Sequence, residues 1–330
     1  MPGFKHLAAL GLLLAYPGGI AWAMSDDLQQ CLLDRLESAG DEVTVAELRS
    51  MCLEETKTDT GAAEQKPDQP RESVVDIRRQ ANEENRSRRF TITPYRANYL
   101  LYTYNDDPNE EPFLDDPDDS LENDELKFQV SFKMPLATEL FGGSTDLLFA
   151  YTSVSWWQTF NDDLSNTFRE TNYEPEIFFR TFTDDEIFGL NFINWQFGWN
   201  HQSNGQSEPE SRGWDRAVGS TAIEFSEDLV MGLRAWYVID SQDNNSDIED
   251  YMGYGDIALG WAPNRNTFTM MYRPSSEGGA AQLTWSYPLT QYLRVYAEYW
   301  NGYGESLIDY DERTERFGLG VALNDVISRD

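Results

Sequence analysis

The sequence predicts an all-β fold: a twelve-stranded antiparallel transmembrane β-barrel with a small N-terminal helical hairpin extension. Three observations predict it. An export signal opens the chain, apolar and polar residues alternate with period two from Phe90 onward, and short turns alternate with long acidic loops.

Residues 1–23 have the layout of a secretory signal peptide. Lys5 and His6 precede an apolar run from Leu7 to Ala15, and Ala21-Trp22-Ala23 supplies a small-x-small cleavage site. A membrane anchor would need roughly 20 apolar residues, and no stretch of the chain offers them. Residues 24–53 read as a helical hairpin. Leu28, Leu32 and Leu36 recur at helical spacing, Gly40 breaks the pattern, and Thr44 with Glu47 forms a capping box for a second helix carrying Leu48 and Cys52. Cys31 and Cys52 are the only cysteines, and in an exported chain a disulfide between them would staple two helices too short to stand alone. Residues 54–89, polar and charged, read as a flexible linker.

From residue 90 to 330 the pattern is that of strands. Leu126, Phe128, Val130, Phe132 and Met134 alternate with Lys127, Gln129, Ser131 and Lys133. Phe317, Leu319, Val321 and Leu323 alternate with Arg316, Gly318, Gly320 and Ala322; Ala281, Leu283, Trp285 and Tyr287 do so with Gln282, Thr284 and Ser286. About twelve such segments fit before the end, and an even number lets a barrel close. The turn at Pro288–Gln291 is short and the acidic loop Asp106–Asn123 is long, the asymmetry of outer-membrane barrels. Aromatics at 14% beside 25% charged residues suit a barrel with aromatic girdles, and also a soluble carbohydrate-binding sandwich. The net charge of −33 argues against a nucleic-acid partner, which needs clustered Lys and Arg. It fits acidic loops and divalent cations, or simply an acidic surface.

The segment that carries chemistry is Phe197-Gly198-Trp199-Asn200-His201-Gln202-Ser203-Asn204-Gly205. Ile193, Trp195, Phe197 and Trp199 form an apolar face, and extending the period puts His201 and Ser203 on it, pointing to lipid. Polar groups there are costly and ask for a role. Neutral imidazole can take a serine proton during attack on an ester; alternatively the strand ends near Asn200 and these are loop residues. In Ser211-Arg212-Gly213-Trp214-Asp215-Arg216, Asp215 lies symmetrically to His201 about the loop. Hairpin pairing would set it beside the imidazole, unless it only pairs with Arg212 or Arg216.

These residues resemble the outer-membrane phospholipase A family. The match includes Asn98-Tyr99-Leu100-Leu101-Tyr102-Thr103, Ser155-Trp156-Trp157-Gln158, Phe168-Arg169-Glu170-Thr171-Asn172-Tyr173-Glu174-Pro175, the His201 and Asp215 segments, and Tyr303-Gly304-Glu305-Ser306-Leu307-Ile308-Asp309-Tyr310. It runs from about residue 90 to 327. The resemblance implies a bacterial outer-membrane enzyme that hydrolyses acyl esters of phospholipids and lysophospholipids. It makes Ser203 the nucleophile, His201 the base, and the Gly205 N–H an oxyanion donor. It implies Ca2+ held by Ser165, the Gln206 carbonyl and Ser211, and a homodimer in which Ser165 serves the partner's site. The chain departs from the family at Asp215, where asparagine is usual, at Gln206, where arginine is usual, and at Ser153, where a membrane-buried glutamine aids pairing. It ends Val326-Ile327-Ser328-Arg329-Asp330, where barrels often end in an aromatic residue. The alternative is a catalytically degenerate barrel with a pore or structural role.

Overall fold

The computed structural model describes Cys52 and residues 72–86, 90–110, 112, 120–162 and 168–327. The chain divides into two units, Met1–Pro70 and Arg71–Asp330. Of the first only Cys52 is described, buried and disulfide-bonded; the signal peptide, the rest of the hairpin and residues 53–71 lie outside the described residues.

Twelve antiparallel strands build the second unit. They are β1 (Asn98–Asn105), β2 (Asp124–Leu140), β3 (Thr145–Trp157), β4 (Phe168–Ile187), β5 (Leu190–Ser203) and β6 (Gly213–Ser226). Then come β7 (Leu229–Ser241), β8 (Gly255–Trp261), β9 (Thr267–Arg273), β10 (Ala280–Pro288), β11 (Arg294–Tyr303) and β12 (Arg313–Asn324). Neighbours in sequence pair throughout, and β12 pairs with β1 from Arg316↔Asn105 to Asn324↔Asn98, which closes the sheet and removes its edges. Thr93–Pro94 adds a two-residue ladder to β2.

The predicted alternation is realised. Lys127, Ser131 and Lys133 are buried in the interior, whereas Val130, Leu283, Phe317 and Leu319 stand exposed on the outside. An exterior this apolar is costly in water and natural in lipid. One position departs. Ile193, expected on the outer face, is buried, because it is an extra residue in β5: Phe192 pairs with Ile223 and Asn194 with Ala222. The bulge resets the alternation, so Trp195, Phe197 and Trp199 keep the outer face.

The interior is crossed by ion pairs. Glu174 receives Arg96 at 2.7 Å and Arg216 and Arg234 at 3.3 Å each. Nearby, Lys127 bonds Glu298 and Glu305 at 2.5 and 2.9 Å, and Arg169 and Arg316 each bond Glu125 at 2.7 Å. Removing one member of such a buried pair costs about 3–5 kcal/mol, so these contacts brace the strands against one another across the interior.

The end of the expected linker is helical. Helix α1 (Val74–Arg86) starts at Ser73, whose Oγ accepts from the Asp76 N–H at 3.1 Å. The Val74 N–H reaches the Glu227 carbonyl at 3.0 Å, Arg78 donates to the carbonyl of Tyr95 at 3.2 Å, and Arg79 pairs with Asp184 at 2.7 Å. A charged segment with few apolar residues is thus ordered by acceptors at the short-turn rim of the barrel, distant in sequence.

Candidate functional site

Two adjacent strands and their connection build the site. Strand β5 ends at Ser203, residues 204–212 turn the chain, and β6 begins at Gly213. In their register Asn200 faces Arg216, His201 faces Asp215 and Ser203 faces Gly213. Asn200 and Arg216 point inward. Asn200 donates to Glu174 at 2.7 Å, and Arg216 bonds both Asn200 and Glu174. Alternation then turns His201 and Asp215 outward. The lumen network therefore fixes the strands from within while their outward residues remain available to the membrane.

His201 Nδ1 lies 3.1 Å from Asp215 Oδ1, and the side chains are 32% and 30% exposed. The imidazole stacks on Trp199, two residues back on the same face, with centroids 6.0 Å apart and planes at 18°. Trp199 and Asp215 thus orient the ring from two sides, and Nε2 has no hydrogen-bond partner among the described residues. Ser203 is the next residue on that face. Among the described residues no hydrogen bond joins its hydroxyl to His201; such contacts often tighten only with substrate. Across β5 and β4, Ser203 stands opposite Tyr173, and across β4 and β3, Tyr173 stands opposite Ser153. The serine, the tyrosine and Ser153 therefore form one outward row.

The connection after Ser203 is shaped by Asn204, which is buried. Its Oδ1 accepts from the N–H groups of Gln206 at 3.3 Å and Arg212 at 2.9 Å, and its Nδ2 donates to the Glu210 carbonyl at 2.9 Å. Gly205 follows at φ +69°, with the Tyr173 ring 3.1 Å from where a Cβ would stand. Both conformation and space select glycine here. Ser211 Oγ donates to Gln242 Oε1 at 2.8 Å, and Asn245 bonds the N–H and carbonyl of Gly213 at 3.0 and 3.1 Å. Asn204, Gln242 and Asn245 escaped the sequence reading because asparagine and glutamine in loops carry no mark of what they will bond. On the far side of Asp215, across β7, stands exposed Asp240.

Gln206 and Ser211 stand at opposite ends of this connection and offer a main-chain carbonyl and a hydroxyl, the oxygen donors that a hard cation takes. Among the described residues no group of three or more His, Cys, Asp or Glu comes together, so a cation here would rely on carbonyl, hydroxyl and water oxygens. Ser165 lies outside the described residues.

A family model described as phospholipase A1 matches residues 75–323. Phospholipase A1 of Proteus vulgaris is 40% identical over 240 residues, covering 72% of this chain and 83% of the relative. A structure of outer membrane phospholipase A from Escherichia coli, with alanine in place of an active-site asparagine, superposes at a TM-score of 0.70 with 37% identity. It covers 77% of this chain and 98% of that one. The Salmonella typhi outer membrane phospholipase, a dimer with bound calcium, gives a TM-score of 0.71 at 37% identity, with the same shares of each chain covered. By sequence and by fold, the chain belongs to the phospholipase A1 family, the phospholipases A of the bacterial outer membrane.

Proposed function

We propose that the outward face around His201 cleaves acyl esters of phospholipids and lysophospholipids in the outer membrane, with Ser203 as nucleophile. The observation that carries this reading is the His201–Asp215 pair, held 3.1 Å apart beside Ser203 on the lipid-facing surface. The substrate is the membrane itself, so a site on the barrel wall meets it without a channel.

In the proposed reaction Ser203 Oγ attacks the ester carbonyl carbon as its proton passes to His201 Nε2. Asp215 holds Nδ1–H and stabilises the imidazolium. The carbonyl oxygen becomes an oxyanion that the Gly205 N–H can meet. Collapse breaks the bond to the glycerol oxygen, which takes the proton from His201. Water, deprotonated by the same imidazole, then releases the fatty acid from the serine. The Gln206 carbonyl and Ser211 of this chain, with Ser165 reaching the partner's site, would hold Ca2+. When bound, the ion polarises the ester carbonyl through its waters.

The dimeric Salmonella relative supports a homodimer. The outward row from Ser203 through Tyr173 to Ser153 is where a partner barrel would both bury surface and wall an acyl groove. Serine in place of glutamine at 153 removes an amide that could bond across such an interface, so the dimer here relies on the remaining surface.

Labelling with an alkyl phosphonofluoridate, followed by peptide mass spectrometry, tests the nucleophile. The reading expects one adduct, on Ser203, formed with calcium and suppressed in His201→Ala. An adduct elsewhere, or a Ser203 adduct that forms equally without His201, contradicts it.

A further inference from the structure

A cavity of about 420 Å³ lies at the short-turn end of the barrel, between α1 and the inner wall. Its volume is in the range of small-molecule pockets. Arg78, Arg79, Lys133 and Arg180 line it and no Asp or Glu does. That is unexpected in a chain with 58 acidic residues against 25 Lys and Arg. Much of the remaining wall is apolar, with Phe178, Ile193, Val230 and Val326 among its residues.

The cations are not equally satisfied. Arg79 pairs with Asp184 at 2.7 Å and Arg180 with Asp146 at 3.6 Å. Arg78 donates to the neutral carbonyls of Pro94 and Tyr95 at 3.4 and 3.2 Å, with the Asp325 carboxylate near enough to act on its charge. Lys133 is 6% exposed, and its ammonium makes no hydrogen bond or ion pair among the described residues. Inward parity on β2 aims it into the lumen, between outward Phe132 and Met134. Burying an ammonium without a counter-ion costs several kcal/mol, so an anion in the cavity would stabilise this cluster. A small hydrated anion would satisfy the cations and leave the apolar wall uncovered. A chain with one anionic end satisfies both.

We propose that this cavity binds a long-chain aliphatic carboxylate, its head at Lys133, Arg78 and Arg180 and its tail along the apolar wall. The site is at the opposite end of the barrel from His201. It does not depend on how the ester chemistry is assigned, although fatty acids are what a phospholipase releases.

The probe is [1-13C]dodecanoate, titrated into the full chain in dodecyl maltoside micelles and read by its carboxyl resonance against empty micelles. The proposal expects one saturable bound resonance per chain, retained in Ser203→Ala and undisturbed by millimolar inorganic phosphate. In Lys133→Met, which keeps an apolar stem, binding weakens about ten-fold. Arg78→Gln, on the helix and outside the barrel wall, gives the same direction of change should Lys133→Met fail to fold. No resonance beyond the micelle control, or binding unaltered in both variants, overturns the proposal. Displacement by phosphate overturns it in favour of a phosphate site, and loss in Ser203→Ala overturns it in favour of the hydrolytic site.

Discussion

Replacing Asp215 isolates what the acid contributes to His201. The Nδ1–Oδ1 distance is 3.1 Å and both side chains are about one-third exposed. A pair so open to solvent is worth at most about 1 kcal/mol in the resting enzyme. In the proposed reaction the imidazole becomes cationic as Ser203 gives up its proton, and the bond becomes charge-assisted, worth about 1.5–3 kcal/mol instead of about 0.5–1.5 kcal/mol for a neutral one. Asp215→Asn keeps the acceptor and loses only the difference, about 1–1.5 kcal/mol, or about ten-fold in kcat. Asp215→Ala loses the whole charge-assisted bond and the ring's orientation, about 10- to 150-fold. Because the contribution arises in the transition state, KM stays near the parent value. Initial rates of fatty-acid release from phospholipid–detergent mixed micelles at saturating calcium measure both constants, and the melting curve of each variant checks folding. A folded Asp215→Ala enzyme with parental kcat, or one altered only in KM, would refute the assigned role.

Asn204→Ala removes three bonds to the backbone of residues 206–212; kcat is expected to fall by about ten-fold or more, with a higher calcium requirement, in a barrel whose melting temperature barely moves. Gly205→Ala forces a Cβ against the Tyr173 ring at φ +69°, a strain of about 1–3 kcal/mol, and activity should drop about ten-fold or more, with partial recovery in the double variant with Tyr173→Ala. Glu305, in the loop after β11, is disfavoured as an anion by burial, but Arg316 and Lys127 outweigh this and hold its pKa down to about 2. A carboxyl lowered in the folded state stabilises above its unfolded value and loses that contribution as pH falls. The parent should therefore lose up to about 3 kcal/mol between about pH 4.5 and 2. Glu305→Gln should be less stable at neutral pH and show a flatter acid-denaturation profile; an identical profile contradicts the assignment. Chelation should abolish hydrolysis and leave the circular-dichroism spectrum unchanged, since the buried ion pairs hold the barrel without a metal.

The strands were legible because a barrel wall imposes a strict inside and outside on each residue, so Leu126–Met134 and Phe317–Leu323 advertise their faces. The juxtaposition of His201 and Asp215 was legible for the same reason: two residues placed evenly about a hairpin connection meet when the strands pair. Ile193 departs from the alternation because a one-residue bulge depends on how β5 pairs with β6. Helix α1 reads as linker in the sequence because its order comes from Glu227, Tyr95 and Asp184, which no local pattern connects to it. The lumen network was hidden likewise, since Glu174 meets Arg96, Arg216 and Arg234 only after closure. A short His-x-Ser pattern is weak by itself; the candidate site rests on the family resemblance of the segments around His201, Ser203 and Asp215.

The most direct test of the account is phospholipid hydrolysis by the purified, folded protein with calcium and with chelator, beside Ser203→Ala. The account predicts calcium-dependent release of fatty acid that disappears in Ser203→Ala while the variant keeps its fold. Release that persists in Ser203→Ala, or its absence from the folded parent protein at saturating calcium, would contradict it.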